Sequence, residues 1–242
     1  MDTEPKKNAL SIPVAIILAG ALIAGAVFLR NEGGVKGVPA RTIEPQAAVQ
    51  EAGGLLKMKP ISNSDHTRGN PVARVKIVEY SDTECPFCKR FHPTMQQVMK
   101  EYGKQGTVAW VYRHFPLDSI HPKTRKESEA TECANELGGN AKFWTYVDRL
   151  FEVTPSNNNL DPAELPKIAE YVGLDIGAFT ACLSSGKYAQ HIQDDLDNAI
   201  LTGGNGTPWS IVVTASGKKY PLSGAQPYAA VKQLIELALQ EK

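Results

Sequence analysis

Hydrophobic positions along the 242-residue chain fall into two regimes. Between Lys7 and Arg30 no residue is charged, and the runs Val14-Ala15-Ile16-Ile17-Leu18-Ala19 and Ala26-Val27-Phe28-Leu29 supply the ~20 apolar residues that cross a bilayer as a helix. This reading places a single transmembrane anchor at 9–29. Residues 1–8, with Lys6 and Lys7, then stay on the cytoplasmic side, because basic residues beside a span are retained there. Ala24-Gly25-Ala26 is the alternative, a signal-peptide cleavage site, but the apolar stretch exceeds the ~7–15 residues of a signal core. Residues 30–69 show no sustained period and are broken by Gly33-Gly34 and Gly53-Gly54, which reads as a flexible tether. A tether of roughly 40 residues reaches about 35 Å, enough to hold a domain clear of the membrane surface.

The second regime begins at residue 70. Val75-Lys76-Ile77-Val78-Glu79-Tyr80 predicts a strand ending at Ser81-Asp82. Phe91, Met95, Val98, Met99 and Tyr102 then recur on one helical face, which Gly103 stops. Thr107 to Tyr112 predicts a second strand, so the domain opens βαβ, a parallel pair joined by a crossover helix. From Pro122 to about Leu201 every signal is helical: Gly138-Gly139 as a stop, Asp161-Pro162 as N-cap and first helical position, and Asp175 as a further N-cap. An all-helical insertion over about 120–202 follows. Trp209 to Val213, a turn at Ala215-Ser216-Gly217, a short strand from Lys219 to Leu222 and a helix from Pro227 to Gln240 close the chain. The whole is one α/β domain over 70–242, ordered βαβ, helices, ββα.

Composition narrows the chemistry. Lys plus Arg equals Asp plus Glu, 26 − 26 = 0, so no bulk charge draws the chain to nucleic acid. Four cysteines are too few for a disulfide-built scaffold and are candidates for chemistry or for one staple. Cys85-Pro86-Phe87-Cys88 sits between the first strand and the first helix. Residues three apart on a helix are neighbours, so the two sulfurs can form and break a disulfide. Pro86 suits the first helical position and pins Cys85 at the helix N-terminus, where free N–H groups and the helix dipole favour a thiolate. Cys85 is thus the reactive sulfur and Cys88 the shielded, resolving one. A structural zinc site would need four ligands and there is no second Cys-X-X-Cys, so the expectation is redox chemistry with no metal and no cofactor. His114, at a strand end, reads as structural, and His66, His121 and His191 carry no constellation.

At these residues the chain resembles the DsbA-like thiol–disulfide oxidoreductases, thioredoxin folds with an inserted helical domain. The resemblance spans residues 70–242. It implies that Glu79, six residues before Cys85, is a buried acid beneath the active pair that exchanges a proton with Cys88. It also implies that Thr207-Pro208 is a cis-proline loop facing the cysteines, where an extended substrate segment adds as a strand. Tyr112-Arg113-His114-Phe115-Pro116-Leu117 is similar to the family's segment after the second strand. Cys133 and Cys182, 49 residues apart, resemble positions where relatives carry a structural disulfide. One departure stands out: strongly oxidising members carry histidine where this chain has Phe87, which cannot donate to the Cys85 thiolate, so a milder oxidant is expected. The implied activity is oxidation of cysteines in reduced or unfolded exported proteins by a membrane-tethered monomer. Its reoxidant would be a membrane partner of the DsbB or vitamin-K-epoxide-reductase type. Two other readings stay open, a reductase or isomerase fed by a membrane electron donor, and a binding or chaperone module with incidental cysteines.

Overall fold

The computed structural model describes residues 53–241. The anchor at 9–29, residues 1–8 and residues 30–52 of the tether lie outside the described residues. Among those described, no helix is long and apolar enough to cross a membrane.

Five strands, β1 (His66–Gly69), β2 (Val75–Ser81), β3 (Val108–His114), β4 (Trp209–Val213) and β5 (Lys219–Ser223), form one sheet in the order β1-β3-β2-β4-β5. The helices are α1 (Pro86–Val98), followed by a π-helical turn at Met99–Gly103, then α2 (Thr124–Val153), α3 (Glu164–Tyr171), α4 (Ile176–Ser185), α5 (Ala189–Leu201) and α6 (Tyr228–Gln240). As the βαβ reading requires, β2 and β3 run parallel, and the other three pairings are antiparallel.

Both faces of the sheet are covered. On one face Ile77, Trp110, Tyr112 and Val212 pack with Phe91, Met95 and Val98 of α1 and Val231 and Ile235 of α6. On the other, Val78, Tyr80, Val111 and Ile211 pack with Phe115 and with Ala199 of α5. The central strands are accordingly buried along nearly their whole length rather than on alternate residues. The helical insertion has its own core, in which Tyr146 and Leu150 of α2 meet Leu165 and Ile168 of α3 and Phe179 of α4. Cys133 and Cys182 are disulfide-bonded there, Cα atoms 5.8 Å apart, tying α2 to α4.

Three local expectations change. The last part of the stretch read as tether belongs to the domain: Leu55 and Met58 are buried in the second face's core, and β1 adds to the sheet edge antiparallel to β3. His66-Thr67-Arg68-Gly69 has no apolar alternation, so only backbone pairing with β3 makes it a strand. Gly138-Gly139 kinks α2 instead of stopping it, with Gly139 at φ 71° in a region glycine enters without steric cost. The helix expected at Asp161-Pro162 starts at Glu164, with the Asp161 carboxylate accepting from the Ala163 N–H at 2.9 Å. Asp175 caps α4 as expected, accepting from the Ala178 N–H at 2.7 Å.

Candidate active site

The loop from β2 into α1 is held by one buried carboxylate. Asp82 accepts from the Glu84 N–H two residues on at 2.8 Å and from the Leu117 N–H at 2.8 Å, and contacts His121 Nδ1 at 3.0 Å. His121, expected to stand alone, is therefore part of this brace. The brace sets Cys85 at the N-cap of α1 in extended conformation, with Pro86 opening the helix, as the sequence reading required. Cys88 lies one turn in, without exposure to solvent, its sulfur 3.5 Å from the Asp82 N–H.

Cys85 is itself only 3% exposed. It is covered by the segment before β4, where the Thr207–Pro208 peptide is cis and the Thr207 carbonyl oxygen lies 3.5 Å from Cys85 Sγ. Pro86 and Phe87 face outward, Phe87 being 52% exposed with the Arg90 guanidinium 5.0 Å over its ring. The Cys85 sulfur thus lies beneath the Thr207 carbonyl with the exposed Pro86 and Phe87 beside it.

The two thiols are electrostatically unequal. A hydrogen bond from Cys88 is the main cause that brings the Cys85 thiol down to about 6, against the opposing effect of burial. Thr207 and the backbone N–H groups of Phe87 and Cys88 add to the lowering. Burial, followed by the adjoining Cys85 sulfur and the charge of Glu79, pushes Cys88 well above the ordinary thiol range. The arrangement keeps one thiolate, on Cys85, and one proton, on Cys88.

Glu79 lies in the middle of β2, in register with Tyr112 of β3 and Ser210 of β4, and is buried. Its Oε2 has no hydrogen-bond partner, and burial raises the carboxyl to about 7, with Ser81 and Trp110 pulling weakly the other way. A buried acid pair also went unread in the sequence. Glu84, immediately before Cys85, and Glu127 of α2 are both buried, and burial with the proximity of Glu84 raises Glu127 to about 9. The Ser81-Asp82-Thr83-Glu84 run ahead of the cysteines was the available signal. His114 touches neither cysteine: its Nε2 lies 2.7 Å from Glu132 Oε1. His66 and His191 reach that same carboxylate, contrary to the expectation that they stand alone.

A parallel β2–α1–β3 unit, a covering helical insertion and a cysteine pair at the N-terminus of α1 define a thioredoxin-fold protein of DsbA-like form. Residues 62–236 match the family model described as thioredoxin, and the chain belongs to that family. Among solved structures, DsbA2 of Pseudomonas aeruginosa is 26% identical, with a TM-score of 0.63 over 74% of this chain and 96% of that one. The α-DsbA1 of Wolbachia pipientis, 23% identical, shares the fold with a TM-score of 0.66 over 77% of this chain and 96% of its own. A protein named Na(+)/H(+) antiporter NhaA 3, from Salinispora tropica, is 35% identical over 171 residues, 70% of this chain and 25% of its own length. The chain spans about a quarter of the length of the curated relatives it matches.

Proposed function

We propose that this chain is a thiol–disulfide oxidoreductase that introduces disulfides into reduced or unfolded exported proteins, working outside the cytoplasmic membrane to which residues 9–29 tether it. The observation that carries this reading is the unequal thiol pair: Cys85 lowered to about 6 beneath the Thr207 carbonyl, Cys88 raised and sealed behind it. A dithiol held as thiolate plus protonated partner is a stabilised reduced form, and a stabilised reduced form makes the disulfide an oxidant. The likeness to DsbA structures supports the same class. The antiporter name belongs to proteins of which this chain matches a quarter, and the thiol site lies inside the matching family region.

In the reaction a substrate thiolate attacks Cys85 Sγ of the Cys85–Cys88 disulfide, and the electron pair of the breaking S–S bond leaves on Cys88. Glu79, with its carboxyl near 7, hands a proton to the Cys88 sulfur. A second substrate thiolate then attacks the substrate sulfur of the mixed disulfide and expels Cys85 as a thiolate. The substrate loses two electrons and two protons. The enzyme gains both electrons; one substrate proton restores Glu79 after its own has gone to Cys88, and the other leaves to solvent at neutral pH. The extended substrate segment lies along the Thr207 backbone, and Pro86 and Phe87 offer it apolar contact. No cofactor enters. A quinone-linked membrane partner of the DsbB or vitamin-K-epoxide-reductase type takes the electrons to regenerate the disulfide.

Equilibration of the full chain with glutathione, reading the Cys85–Cys88 state, tests the direction. The expected potential lies above the about −270 mV of thioredoxin and, because Phe87 donates nothing to the thiolate, below the about −120 mV of the strongest oxidants. A thioredoxin-like value would reverse the direction to a reductant, and a pair that does not cycle would leave only a binding role.

A further inference from the structure

Away from the cysteines, three elements bring nitrogen and oxygen donors to one point. His66 Nε2 of β1 lies 2.7 Å from Glu132 Oε1 of α2, and His191 Nε2 of α5 lies 3.6 Å from the same oxygen. Their donor atoms all fall within 4.8 Å of one another. Two ligands of a tetrahedral zinc, each about 2.0–2.1 Å from the ion, are separated by about 3.3 Å, a spacing that the 2.7 and 3.6 Å contacts bracket.

The donors are held in place. The His66 ring lies flat on Phe143, centroids 3.6 Å apart at 11°, which fixes where its Nε2 points. From the interior, the fully buried His114 puts its Nε2 2.7 Å from Glu132 Oε1, so a ring N–H there holds the carboxylate from behind. Ligating groups braced by a buried hydrogen-bond partner are the usual second layer of a metal site. Asp195 Oδ2 stands 3.9 Å from His191 Nε2 and accepts the His114 backbone N–H at 3.1 Å, placing a further carboxylate beside the trio. The other side is open: His66, Glu132 and His191 line a cavity of about 360 Å³ together with Asn135, Asn140 and Tyr188, which gives an ion entry and room for a water ligand. Two imidazoles and one carboxylate with a free position suit a divalent transition cation rather than calcium or magnesium, whose ligands are oxygens.

We propose that His66, Glu132 and His191 bind one divalent transition cation of the zinc type, with the remaining coordination position facing the cavity. The bound ion would join β1, the edge strand of the sheet, to α2 and α5 of the helical insertion. A metal bound by the folded state alone also stabilises it. The competing arrangement is a plain ion pair between a protonated His191 and Glu132, which binds no metal.

The test uses the full chain with Cys85–Cys88 oxidised, so that no thiolate is available, freed of any histidine tag and dialysed against chelator. Zn²⁺ titration by calorimetry should show one site per chain, and added Zn²⁺ should raise the melting temperature. Co²⁺ should give the visible bands of nitrogen and oxygen coordination without a thiolate charge-transfer band. His191 is partly exposed at the cavity mouth, so His191→Gln should fold normally, as circular dichroism would verify, yet bind Zn²⁺ about tenfold or more weakly and lose the thermal shift. Absence of Zn²⁺ binding, or equal binding and an equal thermal shift in His191→Gln, would overturn the proposal.

Discussion

A carboxyl group closed off from water in the central strand ties the candidate chemistry to stability. Glu79 has a folded pKa of about 7 against an ordinary 4.5, because burial disfavours its charge. A raised folded pKa means that the stability it permits is fully present below pH 4.5, falls as the pH rises from 4.5 to 7, and stays low above 7. The penalty at the plateau corresponds to about 3 kcal/mol at about 1.4 kcal/mol per pKa unit. Glu79→Gln, which cannot ionise, should therefore match the parent in denaturant unfolding at pH 4 and exceed it by about 2–3 kcal/mol at pH 8. Equal stabilities at pH 8 would mean that the carboxyl is hydrated. The same variant should slow the Cys88 half of the exchange, since it has no proton to hand over. Burial of Glu79 was not legible from β2 alone. Every residue of that strand except Lys76 is buried, so alternation carries no information about which face a side chain takes.

At the scale of an element, the loop that carries Thr207 and Pro208 depends on a close approach. The Gly204 N–H donates to the Ala199 carbonyl at 2.9 Å, closing the end of α5. A Cβ there would stand 2.9 Å from that carbonyl oxygen, 2.9 Å from Trp209 Cδ1 and 3.0 Å from Phe115 Cε1. Backbone and ring atoms on three sides cannot all give way, so Gly204→Ala should cost about 1–3 kcal/mol through overpacking, measured as a lower denaturant midpoint. Gly206→Ala, two residues on, would place a Cβ where nothing lies within 4 Å, and should be close to neutral by the same measurement. As letters in the sequence the two glycines are alike. The distinction arises because Phe115 and Trp209, distant along the chain from each other, both fold against Gly204.

For the molecule as a whole, the Cys133–Cys182 bridge is the covalent link inside the helical insertion. Closing a loop of 49 residues restricts the unfolded chain by about 4 kcal/mol in the chain-entropy account. Replacing both cysteines with alanine should lower unfolding stability by about that amount, while leaving the Cys85–Cys88 equilibrium with glutathione unchanged, because the bridge joins α2 to α4 within the insertion's own core and not in the core that holds Cys85 and Cys88. A shift in that equilibrium would show that the insertion and the thiol site are mechanically coupled.

Local signals determined the strand–helix–strand order, the helix N-terminus at Cys85 and Pro86, and the cap at Asp175. Each acts within a turn or two of chain: a missing proline N–H, a side-chain oxygen within reach of a nearby backbone N–H, apolar residues on one helical face. These suffice to place a cysteine sulfur where a helix favours its thiolate. Resemblance, not local physics, pointed to Glu79, Thr207, Pro208 and the Cys133–Cys182 pair. Only the tertiary structure decided that His66-Thr67-Arg68-Gly69 is a strand, that Glu79 is sealed from water, and that His66, His114 and His191 share one carboxylate. The reason is the same in each case: a hydrogen-bond ladder to another strand, a second layer of packing, or a meeting of β1, β3, α2 and α5 depends on groups tens of residues apart. No window of sequence contains both partners of such a contact.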